Sequence, residues 1–507
     1  MKLKFYNHLF MAAVAILMIL SGCKKEETME FDVPSGSVLI KVGGYDCQGT
    51  TSFTSDNVSA VTVTSKPAGW EVVNVDIYAK TITVQSPTFD EIYSEELAED
   101  ERAVESGNVN LKVYTPSGKS KSVEIYVAIV PNEVSYVGAS ANCYIANELN
   151  TRYLFDPYIG GTNTSVATSY VEIIWQTSAN LIKYVDMQKG DDGKMVAWFY
   201  VEELTDEDGE ALGKLTPGNA LIGAYSESGE LLWTWHVWVT NSNPTADENT
   251  ITLNGQTLMN INLGADCNSE GAVDDQNGDD NIIYRSYGMY YQWGRRTPLV
   301  GPSTWNFSLN LNRTLYNNSN LSSLATQLDY VDSNVETGTI NWAESNPLWM
   351  ICGSAENGYD WLYSGHEEFW NTTSKSDHDP CPAGWRIPDS SIYENLTILG
   401  EDDDKSWTEA QGMYGWHLQD TTNGNTYFFT AQGRRNYLDG RLDIVNDDDE
   451  RPIPWSGYYW TSSVEGDKGV AMFFDLNSAT RTWNGFDAAA LMQRANAFPV
   501  RCVRIEE

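Results

Sequence analysis

Short apolar runs, broken at regular intervals by turn residues, limit this chain more than any other feature of its sequence. Val61-Thr-Val-Thr64, Glu71-Val-Val-Asn-Val-Asp-Ile77, Thr81-Ile-Thr-Val84, Val109-Asn-Leu-Lys-Val113 and Ser122-Val-Glu-Ile-Tyr-Val-Ala128 come one after another. Pro67-Ala-Gly-Trp70 and Pro116-Ser-Gly118 punctuate them. Runs this short are too brief for self-supporting helices. Alternation of apolar and polar residues buries one face of a strand. Strands roughly 8–12 residues apart with turn chemistry between them argue for an antiparallel β-sandwich. Ser37-Val-Leu-Ile-Lys-Val42 opens this module, placed at 35–130, and the acidic piece 90–105 reads as a loop or a short helix.

A second β module is expected at 131–242. Tyr170-Val-Glu-Ile-Ile-Trp-Gln176 and Met195-Val-Ala-Trp-Phe-Tyr-Val201 read as strands. Asn219-Ala-Leu-Ile-Gly-Ala-Tyr225, a Ser228-Gly229 turn and Glu230-Leu-Leu-Trp-Thr-Trp-His-Val-Trp-Val-Thr240 read as a hairpin. In the last strand Trp233, Trp235, Val237 and Val239 share one face, which is core; Thr234, His236 and Trp238 share the other. That second face is either an exposed sugar platform or a packing surface for the carboxy-terminal domain, and packing is the favoured reading. His236 is then a hydrogen-bonded structural residue. The first module resembles the Ig-like spacers of surface lipoproteins and carries no catalytic motif.

At 507 residues the chain exceeds a single core. Its formal net charge is −38, and 30 Lys and Arg face 70 Asp and Glu once the first 22 residues are set aside. Such a surface repels phosphate backbones, which argues against nucleic acid as a partner.

The amino end reads as an address. Lys2 and Lys4 precede an apolar run of 12 residues from Leu9 to Leu20, too short to span a bilayer. Leu20-Ser-Gly-Cys23 resembles the lipobox of bacterial lipoproteins, which implies a signal peptide at 1–22, lipidation of Cys23 and a tether at 23–34. Lys24-Lys-Glu-Glu27 resembles the surface-export signal of Bacteroidetes lipoproteins. The implied location is the outer membrane, lipid-anchored and exposed at the cell surface, with the lipid as the only membrane contact.

The carboxy-terminal half carries ordered landmarks: Met259-Asn-Ile-Asn-Leu-Gly-Ala265, Tyr287-Gly-Met-Tyr-Tyr-Gln-Trp-Gly-Arg-Arg-Thr-Pro298, Asp379-Pro-Cys-Pro-Ala-Gly-Trp-Arg-Ile-Pro388, Tyr458-Tyr-Trp-Thr-Ser-Ser463, Gly469-Val-Ala-Met-Phe-Phe-Asp475 and Pro499-Val-Arg-Cys-Val-Arg504. This series resembles the Fibrobacter succinogenes major paralogous domain, here at 246–507. The resemblance implies an α+β, C-type-lectin-like fold. The expected fold class is therefore multidomain and mainly β, two Ig-like β-sandwich modules followed by that domain. A helix is expected from Ser391, capped by the Ser391–Glu394 box, with Ile392, Leu396 and Leu399 on one face and Gly400 at its end. Val470, Met472, Phe474 and Leu476 alternate as a core strand. A disulfide is expected between Cys381 and Cys502, with Cys267–Cys352 as a second pairing; Cys47 and Cys143 read as unpaired core residues.

No enzyme motif survives inspection, and catalysis is not expected. His366-Glu-Glu-Phe-Trp370 starts like a zinc-protease helix but has Trp where the second histidine belongs. Calcium is the one cofactor the chain suggests. Asp275, Asn277 and Asp279 offer oxygen ligands in an acidic loop that lacks the glycine and terminal glutamate of an EF-hand. Glu401-Asp-Asp-Asp404 and Asn446-Asp-Asp-Asp-Glu450 are similar loops, and a solvated loop is the default for all three. Trp305, Trp342, Trp361 and Trp370 are the candidate ligand contacts; Arg295, Arg296, Trp407 and Trp483 lie on similar loops. Trp293, Trp385 and Trp460 belong to the family pattern and read as core. The expected function is binding of a glycan or a surface protein in adhesion, with a fimbrial accessory or tip component as the alternative.

Overall fold

The computed structural model describes residues 28–33, 40–94, 96–190, 192–268, 282–302, 314–317, 323–324, 329–365, 369–398, 415–443, 456–477 and 482–506. Residues 1–22 and Cys23 lie outside these. The protein is mainly β, and its contacts divide it into two compact units, Met1–Asn132 and Glu133–Glu507.

In the first unit a four-stranded sheet runs Ile40–Val42, Ser120–Ile129, Ser106–Tyr114, Ala60–Ser65, and a three-stranded sheet runs Gln48–Ser52, Thr81–Gln85, Glu71–Asp76. The alternation read from sequence sets the burial: Val109, Leu111 and Val113 are buried, as are Ile82 and Val84. Trp70 closes this core and donates its indole N–H to the Val104 carbonyl at 2.8 Å. The acidic piece resolves into a short helix, Phe89–Tyr93, fixed by a Thr88–Glu91 capping box, and a loop. Cys47 is exposed, not a core residue: it follows the left-handed Asp46 and precedes the strand Gln48–Ser52.

In the second unit the expected hairpin forms, Gly218–Tyr225 pairing antiparallel with Leu231–Val239. Leu231–Val239, the tryptophan strand, serves two cores. Trp233, Trp235, Val237 and Val239 face Tyr153, Phe155, Phe199 and Ile222. On the other side Trp238 joins Met259, Ile261, Leu263, Tyr287 and Tyr291. The packing reading of that face is the correct one. Trp238 donates its indole N–H to the Ala265 carbonyl at 2.8 Å, and His236 Nε2 lies 2.8 Å from Asn219 Oδ1. Asn219 in turn donates to the Gly264 carbonyl. Burial alone pulls the His236 pKa down to about 3, so the ring is neutral.

Further junctions tie the stretch 133–242 to the stretch 246–507. Asn142 donates to the carbonyls of Asp377 and Asp379 at 2.8 and 2.9 Å. The Asp377 carboxylate accepts from the Thr162 amide and hydroxyl and from the Thr164 hydroxyl, bonds that hold its pKa down at about 2 against the opposing effect of burial. Arg296 is not a loop contact residue. Its guanidinium is buried 3.5 Å from the Trp233 ring centroid and paired with Glu344. Arg295 is buried as well, donating to the carbonyls of Trp349, Ala343 and Asn346.

The carboxy-terminal sheets are closed by late segments of the chain. Val503–Arg504 lies between Gln256–Met259 and Trp385–Arg386, and Ala497–Phe498 pairs with Tyr291–Gln292. Cys381 and Cys502 are bonded, with Cα atoms 6.0 Å apart. Beneath the bond, buried Lys375 donates to Asp379 Oδ1 and to the carbonyls of Cys381 and Trp385. Cys267 and Cys352 are both free thiols, so the second pairing does not form; Cys352 is held in the strand Trp349–Cys352 with its thiol buried.

The expected helix after Ser391 is replaced. A 3-10 turn, Ser390–Tyr393, is capped by Asp389 and gives way to a strand, Leu396–Ile398, paired with Gly415–Asp420. The β-branched Thr397 and Ile398 fit a sheet edge better than a helix, and the fold supplies a partner strand. Gly400 lies outside the described residues. Val470, Met472 and Phe474 are buried, in keeping with their alternation.

Candidate functional site

Of the four candidate tryptophans, Trp305 lies outside the described residues. Trp361 and Trp370 are not ligand contacts. Both are fully buried, and each spends its N–H on a backbone carbonyl, of Trp293 at 2.7 Å and of His378 at 3.0 Å. A large ring beside a turn sequence reads as exposed, yet here the loops fold back over their own aromatics. Trp342 is half-buried on the short helix Ile340–Ser345, its ring edge-on to Trp349 with centroids 5.9 Å apart. Trp293, Trp385 and Trp460 are buried in the core. Asp275, Asn277 and Asp279 fall outside the described residues, as do His366, Trp407 and the two other acidic loops; the Trp483 side chain does too. Among the described residues no three His, Cys, Asp or Glu side chains gather as metal ligands would.

The structure offers a different site. A cleft of about 530 Å³ opens between the loop 357–365, the hairpin turn at Gly466 and Asp467, and Arg494. The loop is built by turn chemistry. Ser354 and Asn357 form a reciprocal cap, and Gly358 ends the 3-10 turn in the left-handed region with φ 67°. Tyr359 comes next with φ 60°, a backbone state unfavourable for a bulky residue. It is held there by its amide on the Ser354 carbonyl and by the Ala495 amide on its own carbonyl.

That pinned backbone sets Asp360 on the cleft floor. Oδ1 accepts the Leu362 amide at 3.0 Å, and Oδ2 stands 3.5 Å from Arg494 Nη1. Burial raises the Asp360 pKa to about 6, with Asp467 adding to the rise and the Leu362 amide and Arg494 opposing it. Arg494 is buried too: Nη2 donates to the Gly466 carbonyl at 3.0 Å and its plane lies 4.6 Å from the Trp293 ring centroid. Lys468 ties the hairpin to the loop, donating to the Gly358 carbonyl at 2.8 Å beside the Asp467 carboxylate. Tyr363 stands at the mouth with its side chain partly exposed, its amide fixed on the Gly338 carbonyl.

A buried carboxylate, a rim carboxylate and an accessible aromatic ring in one concavity can hold a polar ligand by hydrogen bonds and ring contact. Sequence reasoning missed Asp360, Tyr363, Asp467 and Arg494. The signal that could have found the loop is Gly353-Ser-Ala-Glu-Asn-Gly-Tyr-Asp360 running into Trp361-Leu-Tyr-Ser-Gly365, an aromatic pair framed by turn residues. Arg494 and Asp467 meet it only through the fold.

No family model matches the chain, and neither does any curated protein. Solved structures similar to it include the Bacteroides ovatus mixed-linkage glucan utilization locus protein SGBP-B in complex with a mixed-linkage heptasaccharide. That match has 15% identity and a TM-score of 0.14, covering 48% of this chain and 60% of that one. Drosophila N-cadherin EC1-4 matches at 12% identity and a TM-score of 0.16, covering 43% and 50%. Titin domains I67–I69 match at 10% identity and a TM-score of 0.14, covering 42% and 64%. The chain spans less than two thirds of each of these structures. The assignment of the fold as mainly β rests on the strand pairing above.

Proposed function

We propose that the protein is a lipid-anchored outer-membrane protein, exposed at the cell surface, that binds a glycan or a surface protein without catalysing a reaction. The binding part is the stretch 246–507, which resembles the Fibrobacter succinogenes major paralogous domain. The observation that carries the reading is the cleft over Asp360, where hydrogen-bonding groups converge beside the accessible ring of Tyr363. Aromatic rings pack on the apolar faces of sugars while carboxylates accept their hydroxyls, and the cleft supplies both. The lipobox-like Leu20-Ser-Gly-Cys23 and the adjoining Lys24-Lys-Glu-Glu27 support the anchor and the export.

The test is a glycan array probed with the purified protein, in calcium and in chelator. Binding in both conditions supports a calcium-independent site such as the cleft, and its loss in Tyr363→Ala would assign it there. Binding in calcium only moves the site to the acidic loops around Asp275, Asn277 and Asp279. No binding in either condition favours the fimbrial accessory component, and cross-linking at the cell surface would then identify its neighbours. Incorporation of labelled fatty acid that disappears in Cys23→Ala tests the anchor.

A further inference from the structure

We propose that the cleft receives a neutral polyol, such as the terminal hexose of a glycan, with the Asp360 carboxylate as its hydrogen-bond acceptor, so that capture is lost when Asp360 takes up a proton. This rests on the glycan-binding reading and goes beyond it in naming the ligand's charge and the group that holds it.

The charges around the cleft select the ligand. Arg494 is the guanidinium on its floor, but its side chain is only 1% exposed. It is already engaged by the Gly466 carbonyl, Asp360 and the Trp293 ring. Among the described residues, a ligand carboxylate or sulfate would meet there only a cation that is already paired. Lys468, on the hairpin, is turned to the Gly358 carbonyl and to Asp467. The group that does face solvent is the Asp467 carboxylate, 61% exposed at the rim. An anion is therefore repelled, whereas a neutral molecule rich in O–H donors is matched by two acceptors.

The Asp360 side chain is itself only 3% exposed, so its access rests on the gap at Gly365. Gly365 has φ 63°, and a side chain there would point at Asp360 Oδ2, 3.6 Å from its first carbon. Without one, a hydroxyl can approach that oxygen. Tyr363, 38% exposed at the mouth, offers its ring to the apolar face of a pyranose. Among the described residues, the charged groups facing Asp360 are thus Arg494 from the segment after the strand Thr482–Gln493 and Asp467 from the hairpin, with Lys468 beyond it. Their balance with burial places its protonation near 6, within reach of ordinary acidification. Once protonated, the acid offers one acceptor fewer and weakens the hold on the polyol.

The test is a calorimetric titration of the purified protein with the methyl glycosides of glucose, galactose, mannose and N-acetylglucosamine, with glucuronate as the anionic probe, at pH 7.5 and pH 5.0. We expect a neutral glycoside to bind, glucuronate to bind less well, and affinity to fall about tenfold at pH 5.0, the loss set by the ionised fraction of an acid titrating near 6. Tyr363→Ala, a change at the surface, should abolish binding, and Asp360→Asn should flatten the pH profile. If Asp360→Asn does not fold, the unaltered protein's pH profile and Tyr363→Ala decide. Preference for glucuronate, a pH-independent affinity, or binding untouched by Tyr363→Ala overturns the proposal while leaving glycan binding in place. An array and titrations that are all blank overturn both.

Discussion

Replacing Cys381 and Cys502 together by alanine removes the bond that closes a loop of 121 residues. In the chain-entropy treatment the unfolded state gains about 16 cal/mol/K, so the folded unit loses about 5 kcal/mol at 25 °C. Both cysteines are fully buried, and alanine is chosen because serine would bury two hydroxyls. The loss should appear in guanidinium unfolding of the full chain, followed by tryptophan fluorescence. Most tryptophans lie after residue 133, and of the 18 in the chain only Trp70 belongs to the first unit. The midpoint should drop by roughly 0.5–1 M, with a slope equal or steeper because the uncrosslinked chain expands further. A loss below about 1 kcal/mol, after allowing for the slope, would refute the loop-closure reasoning. It would mean that the sheet pairing of Val503–Arg504 alone holds the carboxy-terminal segment in place.

The packing and the titrating groups set four further outcomes. Trp238→Ala should cost about 3–5 kcal/mol in chemical denaturation, because it empties a buried indole and orphans the Ala265 carbonyl. His236 should make the protein acid-labile. Its folded pKa, near 3, lies below the unfolded 6.5, so only the unfolded chain takes the proton between these values and stability falls as pH falls. The loss reaches about 3 kcal/mol by pH 4, and a denaturation series in His236→Gln should be flatter over that window. Asp377→Asn should destabilise by about 1–3 kcal/mol at pH 7, measured by the same denaturation, since its oxygens accept from Thr162 and Thr164. Trp361→Ala and Tyr363→Ala, two residues apart, should separate cleanly: the first lowers stability by about 3–5 kcal/mol, the second leaves it within about 0.5 kcal/mol and reads out only in binding.

Periodicity makes the β architecture legible, because alternation along Ser106–Tyr114 and Leu231–Val239 fixes which side chains turn inward whatever the partner. The second face of the tryptophan strand is readable through Trp238, a large ring that needs cover beside the polar Thr234 and His236. The stretch after Ser391 is not, since its apolar spacing fits helix and strand alike and the distant partner Gly415–Asp420 decides. The candidate site is the least legible part. Exposed and buried tryptophans look the same in sequence, so Trp361 and Trp370 read as outward-facing. Asp360 and Arg494 are ordinary residues until the fold sets them side by side, 3.5 Å apart.

The pairings of Leu258 with Val503 and of Tyr291 with Phe498 join segments that leave the ribosome far apart in time. A chain emerging amino end first can form its local hairpins at once, but it leaves the edges at Leu258, Tyr291 and Trp385 without these partners until 497–504 arrive. Such long-range closure is slow, and the waiting chain exposes unpaired edges and apolar rings. On the export route proposed above, that delay would keep this part of the chain threadable until its last strands are across, and Cys502 would then reach Cys381 where thiols can be oxidised.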